Sequence, residues 1–444
     1  MSQDTKQLYL FKGISGKEVH VNFNGGNISS DSGVIMLHEF MDEIGVIKKV
    51  AKLLPDDRHQ SYIDHTTEQL LSQRVLQIIA GYKDSNDCNA LRHDPALKTA
   101  CGKKPESDGP LASQPTMFRF EHRIDPKTLV RLGRLQVDLF IRSYKKAPET
   151  VILDFDDTED QTYGSQQLSM FNAYYGSVCY QPMHVYEGKS GKLVATILRP
   201  GKRPTGKEIA KMIRRIVRLI KKAWPEVNII IRGDSHYGCL EVYDICKEFN
   251  MQFVLGLTSN SILQKSVADI KKRAEALFEH DPKAFKLYHE FKYQAATWAE
   301  PQRVIAKVEY TEKLKINIRF IVTSFKTTWR KQVYEMLYCG RGKAELYIKE
   351  HKSQLGSDRT SCNSCLVNQF RLIFFNLAYM ILHYFRSRHL QHTCFATADF
   401  NTIRLKLIKI GGQIKELSTR IKFHLSSAYP YQDEFRKIYV SLSG

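Results

Sequence analysis

The chain is 444 residues long, enough for two or three domains with a well-buried core, and 43% hydrophobic with 25% charged residues excludes wholesale disorder. Lysine and arginine number 66 against 47 aspartate and glutamate, a formal net charge of +19 and a sequence pI near 9.4, so the favoured partner is a polyanion, nucleic acid ahead of an anionic membrane surface. Nine cysteines with a single CxxC, Cys362-Asn-Ser-Cys365, and no second CxxC or close His pair argue for reduced thiols and against a structural zinc site.

In chain order, the run MSQDTKQLYLFKG has no basic segment leading into an apolar stretch and cleavage site, so no secretory signal is expected and the expected location is cytoplasmic. Residues 1–145 read as a mainly helical N-terminal domain with an accessory or DNA-binding role. Ser29-Ser30-Asp31-Ser32 offers N-caps for the apolar run Val34 to Met41, and Glu68 to Ala80 has helical periodicity. Asp56-Asp57-Arg58, Tyr82 to Asp87 and Leu91 to Pro95 read as turns and caps, and Lys103 to Pro115 as an exposed connection to a helical segment, Met117 to Tyr144.

Residues 146–257 change texture. Val151 to Phe155 is a β-rich run ending in Asp156-Asp157-Thr158, followed by a hairpin of Val178 to Tyr186 and Lys192 to Leu198 around the Gly188–Gly191 turn. Lys207 to Lys222 is an amphipathic helix with seven basic residues against one acid, Glu208; strand Asn228 to Arg232, helix Leu240 to Phe249 and strand Gln252 to Leu257 complete a βββαβαβ order. A fourth strand lying parallel beside the first would set Asp156 and Asp234 side by side at the carboxyl ends where open α/β sheets hold their sites. Asp154 shares the Asp156 strand face one pleat deeper and stands as the alternative, while Asp157 faces the other way. Taken singly, an aspartate at a strand end is more often a turn or cap residue than a ligand.

Residues 258–337 read as a β-rich insertion with a helix over Val267 to Glu279 and strands over Ala284 to Tyr293, Arg303 to Glu312 and Ile316 to Phe325. In 338–390, Tyr338, Arg341, Glu345 and Lys352 fall at i, i+3, i+7 and i+14, one face of a helix from which Glu350 points away. Leu366 to Phe385 is apolar, yet Asn368, Gln369, Arg371, Asn376 and His383 interrupt it, so it reads as a buried helix and no membrane span is expected. Residues 391–444 form a basic C-terminal segment.

The motifs Asn27-Ile-Ser-Ser-Asp-Ser-Gly33, Gly81-Tyr-Lys-Asp-Ser-Asn-Asp87, Leu91-Arg-His-Asp-Pro95, Leu153-Asp-Phe-Asp-Asp-Thr158, Arg232-Gly-Asp-Ser235 and Asn368-Gln-Phe-Arg371, with the spaced Tyr338, Arg341, Glu345 and Lys352, resemble the bacterial DDE transposases, most closely the insertion-sequence 1380 group of the insertion-sequence 4-like enzymes. The resemblance implies an α/β, RNase H-like catalytic core interrupted by a mostly-β insertion. It implies Asp156, Asp234 and Glu345 as a metal-binding triad for two Mg²⁺ ions, with Mn²⁺ as a substitute, and Tyr338, Arg341, Lys349 and Lys352 as DNA contacts. Carboxylate oxygens suit such hard cations, and two ions about 3.5 to 4 Å apart serve an in-line phosphoryl displacement. Trp298 and Trp329 lie in or beside the insertion, where an aromatic residue of some relatives stacks on an extruded base; Trp298 is the candidate for that contact, with core packing the favoured role for either. Partners would be the terminal inverted repeats of the element, target DNA and a second copy in a synaptic homodimer. Two departures from the family pattern stand out: His236-Tyr237 follows Asp234-Ser235, and Leu346 follows Glu345. The competing functions are an RNase H-like nuclease without strand transfer and an inactive copy acting as a DNA-binding repressor.

Overall fold

Strand β1, Thr150–Asp157, alternates so that Val151, Leu153 and Phe155 face one side and Ile152, Asp154 and Asp156 the other, and Val151 through Asp156 are all buried. A polar residue buried mid-strand needs a partner on its own face, and β1 obtains one from its neighbour. The computed structural model describes residues 8–280, 285–311 and 315–443. Residues 1–7 of the run read for a signal, and the ends of two expected strands at Ala284 and Glu312, lie outside the described residues.

The protein is a mixed α/β chain around a large sheet. With β2 as Met183–Glu187, β3 as Leu193–Ile197, β4 as Asn228–Gly233, β5 as Gln252–Leu257, β6 as Phe285–Tyr293, β7 as Gln302–Thr311 and β8 as Lys315–Thr323, the eight strands lie in the order β6-β7-β8-β5-β4-β1-β2-β3. β4 is parallel to both β1 and β5, and β2 is antiparallel to β1. Helices α1 (Pro126–Arg142), α2 (Gly206–Ala223) and α3 (Leu240–Glu248) supply one covering layer: Val137 and Phe140, Ile209, Ile213, Ile216 and Ile220, and Val242 and Ile245 share a core with Val151, Leu153 and Phe155. α2 starts at a capping box in which Thr205 and Glu208 satisfy each other's backbone donors.

On the opposite face of β1, register pairs Asp154 with Arg232 of β4. The guanidinium binds the carboxylate through two bonds, Nε to Oδ1 at 2.5 Å and Nη2 to Oδ2 at 2.6 Å, with both side chains buried. Its third nitrogen, Nη1, donates to the Leu337 carbonyl at 2.7 Å, tying the chain that leads into the Glu345 helix to the sheet. Gly188 and Gly340 border this pair, and a Cβ on either would press into the guanidinium.

Several expectations are corrected. The strands of the β-rich segment 258–337 join the main sheet, because β8 pairs antiparallel with β5 and so β6, β7 and β8 extend it. The expected strand 178–186 is two: Ser177–Tyr180 belongs to a small sheet with Asp160–Gln161 and Met170–Asn172, and Pro182, lacking an N–H, separates it from β2. The helical segment 117–144 breaks into Gln114–Glu121 and α1, where Asp125 caps the Lys127 and Thr128 amides and Pro126 takes the first helical position.

The chain divides into two compact units, residues 124–380 just described and a second one joining 1–123 to 381–444. The boundaries read from the sequence fell at 145 and 390 instead, and α1 belongs with the sheet unit. The second unit holds helices Val34–Ile44, Thr67–Ala80 and Pro95–Ala100, a hairpin of Tyr9–Ile14 and Lys17–Val21, and a C-terminal helix, Gln432–Ser443. The basic C-terminal segment is folded into this unit: Gly412–Glu416 pairs with Ile421–Leu425 and with Ile28–Ser29. Ser29 to Ser32 does not cap the first helix through a side chain; Asp31 is buried and pairs with Lys409 at 2.6 Å while accepting from Tyr82 Oη at 2.9 Å. α5, Cys365–His389, is long and apolar enough to cross a membrane, but 78% of its most apolar window is buried inside the protein.

Because removal of one partner strands a buried charge, Asp154→Leu or Arg232→Met alone should lower unfolding stability by about 3 to 5 kcal/mol, while the double variant should recover most of the loss. Urea denaturation of the three variants measures this, and a strictly additive double variant would contradict the pairing.

Candidate functional site

Asp156 sits one pleat beyond Asp154 on β1, and Asp234 is the first residue after β4. The parallel pairing of the two strands therefore brings their carboxyl ends together. Asp234 turns the chain, its Oδ1 accepting from the His236 amide at 2.8 Å. Gly256 on β5 permits the approach: a Cβ there would lie 2.6 Å from Ser235 N, 2.9 Å from the Asp234 carbonyl carbon and 3.0 Å from Tyr338 Oη. Tyr338 thus reaches the same strand end.

The neighbouring acids are already satisfied. Asp154 is held by Arg232, as described, and Asp157 by Arg199 at 2.7 Å and by the Tyr237 hydroxyl at 2.8 Å. Asp156 instead has Arg341 Nη2 at 3.3 Å and the Asp157 amide at 3.2 Å. Burial pushes its carboxyl up to about 6, with the Arg341 charge pulling down and the Asp234 and Asp157 charges pushing up. Arg341 in turn feels the charges of Asp156, Asp234 and Glu345, and touches Asp156 alone among them at hydrogen-bond distance.

The stretch 333–354 is helical but not one regular helix. It opens with a wide π turn over Val333–Tyr338, tightens to 3₁₀ over Cys339–Arg341, runs as α4 over Gly342–Lys349 and widens again over Glu350–Gln354. Glu345 and Lys349 are exposed on α4, whereas Glu350 is buried and its charge acts on Tyr186. The Lys352 amine donates to Thr158 Oγ1 at 3.1 Å and to the Glu159 carbonyl, holding the loop after β1. Next to it, His351 is buried and hydrogen-bonded to Ser357 Oγ at 2.8 Å and Asn376 Oδ1 at 2.9 Å, which anchors the end of this stretch to α5. Trp298 is also a core residue, edge-to-face with Tyr243 at 5.2 Å and Tyr293 at 5.3 Å, so its reading as a base-stacking residue is replaced by core packing. Trp329 is the exposed one, at 59%.

Among the described residues no three His, Cys, Asp or Glu side chains are close enough to hold a metal ion. What the strand ends do offer is a pair of carboxylates, Asp156 and Asp234, that repel each other in a desolvated setting with one guanidinium to offset them. Oxygen donors of that kind fit a hard divalent cation. Sequence reasoning missed Arg232, Arg199 and Gly256. Arg232 left a signal, a charge inside the otherwise apolar run Asn228-Ile-Ile-Ile-Arg232 at the position whose parity matches Asp154.

The family model described as transposase DDE domain group 1 matches residues 11–444. Among solved structures, the chain is similar to a piggyBac transposase synaptic complex with hairpin DNA, at 11% identity over 91% of this chain and 89% of that one, with a TM-score of 0.38. It is also similar to a pre-cleavage Mos1 transpososome, at 9% identity over 44% and 65% of the two chains with a TM-score of 0.17. A third similarity is to a simian T-cell lymphotropic virus intasome in complex with PP2A regulatory subunit B56 gamma, at 11% identity over 55% and 100% with a TM-score of 0.18. No curated protein matches the chain.

Burial lowers the His351 imidazole to about 4, so the folded state resists its protonation while the unfolded chain takes up the proton near pH 6.5. Its contribution to stability is therefore complete above about pH 6.5, declines as the pH falls from there toward 4, and changes no further below. The loss should be on the order of 3 kcal/mol, and His351→Gln should flatten that part of the profile. Urea unfolding at stepped pH measures both, and an identical slope in the variant would rule the residue out.

Proposed function

The chain belongs to the transposase DDE domain group 1 family, and on that premise we propose that it is a DNA transposase of a bacterial insertion sequence, of the insertion-sequence 1380 group, acting in the cytoplasm as a synaptic homodimer. The reading has it bind the terminal inverted repeats of its element, cleave there, and join the freed 3′-OH to target DNA. The observation that carries it is the placement of Asp156 and Asp234 at the adjoining carboxyl ends of two parallel strands, with Arg341 of the Glu345 segment against Asp156.

In this reading the core is RNase H-like, with β3-β2-β1-β4-β5 as its five strands and β6 to β8 as the insertion that extends them. Asp156 and Asp234, with Glu345 as the third carboxylate of the reading, would hold Mg²⁺ or Mn²⁺ in its place. Two such ions, when bound, would activate the attacking oxygen and stabilise the leaving one. The chain's own groups do the positioning. Arg232 neutralises Asp154, which leaves Asp156 as the β1 carboxylate open to a ligand. Arg341 offers a planar fork that accepts a phosphate as readily as a carboxylate, and Tyr338 places a hydroxyl beside the Asp234 turn. Lys352 fixes the loop that follows β1, and Lys349 stands exposed on α4 for a backbone phosphate.

Asp156→Asn, Asp234→Asn and Glu345→Gln should each abolish cleavage of donor DNA carrying the element's ends while leaving end binding within a few-fold of the parent, and Glu350→Gln should keep activity. An assay with end-bearing donor and a target plasmid separates joined products, cuts without joining, and binding without cuts. Parent-like cleavage by Glu345→Gln would sink the triad. Cuts without joined products would favour a nuclease.

A further inference from the structure

Helix α2 carries a surface that the Asp156–Asp234 site does not use. At about 100° per residue, all seven of its basic residues from Lys207 to Lys222 fall within an arc of about 120°, opposite the buried Ile209, Ile213, Ile216 and Ile220. A solvated helix face normally mixes signs, because like charges at i,i+4 repel. This face carries no acid of its own. Glu208 lies at its edge and is engaged at the N-cap, its carboxylate accepting from the Thr205 amide at 2.8 Å and hydroxyl at 3.0 Å. Among the described residues, the one acid paired with this face from a neighbouring element is Glu248 of α3, 2.6 Å from Arg214 and 4.0 Å from Arg218. Lys207, Lys211, Arg215 and Lys222 are exposed and take no part in an ion pair among the described residues.

The stripe also begins at the site. Arg203, just before the helix, donates from Nε to His236 Nδ1 at 2.9 Å, and the His236 amide is the donor to Asp234. From Lys207 to Lys222 the helix rises roughly 22 Å, the length of about six base-pair steps.

We propose that this face of α2 is a sequence-independent track for the phosphate backbone of duplex DNA leading away from the Asp156–Asp234 site, an inference that rests on the function proposed above. Lysine and arginine contacts to phosphates release counterions, so the stripe should set the salt dependence of binding and not its sequence preference.

The test uses the full-length protein and a duplex of arbitrary sequence, with affinity read by fluorescence anisotropy at several salt concentrations. The triple variant Lys207→Gln, Lys211→Gln and Arg215→Gln should bind at least tenfold more weakly at low salt. The slope of log affinity against log salt should shrink by about 2 to 3, since each phosphate contact contributes roughly 0.9. A control triple on the exposed face of Ala268–His280, Lys271→Gln, Lys272→Gln and Arg273→Gln, should leave the slope near that of the parent. An unchanged slope in the stripe variant, with circular dichroism and melting as in the parent, overturns the track. If the slope falls but Asp156→Asn still cleaves end-bearing DNA, the track stands and the catalytic assignment fails; the converse result retains the site and removes the track.

Discussion

The buried pair between Asp154 and Arg232 is the constraint on which the functional end of the sheet depends. Two charged side chains in the interior are tolerable only when geometry and further hydrogen bonds compensate for lost water, and here the guanidinium spends all three nitrogens on protein oxygens. The two bonds to Asp154 fasten β1 to β4 in one register, and the third holds the Leu337 carbonyl. A slip of one residue would turn Asp154 and Arg232 to opposite faces and break the pair. The same interaction thus sets where Asp156 and Asp234 emerge and where the Arg341–Glu345 segment begins.

Beyond that pair, charge in the site becomes progressively less compensated. Asp157 has a cation and a hydroxyl at normal distances, whereas Asp156, equally close to the interior, has a guanidinium at 3.3 Å and a nearby aspartate. Such a carboxylate is costly to keep ionised, which is why its proton is held to about pH 6. Perturbed groups of this kind gather where chemistry is done, because a ligand bearing positive charge recovers the cost on binding. The uneven helical stretch serves the same end. The wide turn after α4 buries Glu350 and directs Lys352 at the loop after β1, while Glu345 stays exposed on α4.

Much of this was legible one segment at a time. The period-2 pattern of Val151 to Asp156 and the 3.6-residue pattern of α2 arise from local geometry that any stretch of that composition carries, so strand, helix and the parity of Asp154 and Asp156 follow from the residues themselves. Asp125-Pro126 and Pro182 also carried their breaks locally, through a cap and a missing N–H, although the surrounding apolar runs masked them. The helical spacing of Tyr338, Arg341, Glu345 and Lys352 pointed to a shared face, but a period count assumes α geometry throughout, and the wide and tight turns of 333–354 depart from it.

What the sequence by itself determined, then, is the alternation of elements, the basic face of α2 and the two aspartates at strand ends. What only the tertiary structure decided is the choice of partner for each charge: Arg232 for Asp154, Arg341 for Asp156, Lys409 for Asp31, and the pairing of β8 with β5 that joins the insertion's strands to the main sheet. The physical reason is that secondary structure is set by near-neighbour sterics and periodicity, while an ion pair or a sheet edge is settled by which groups packing brings together from distant parts of the chain.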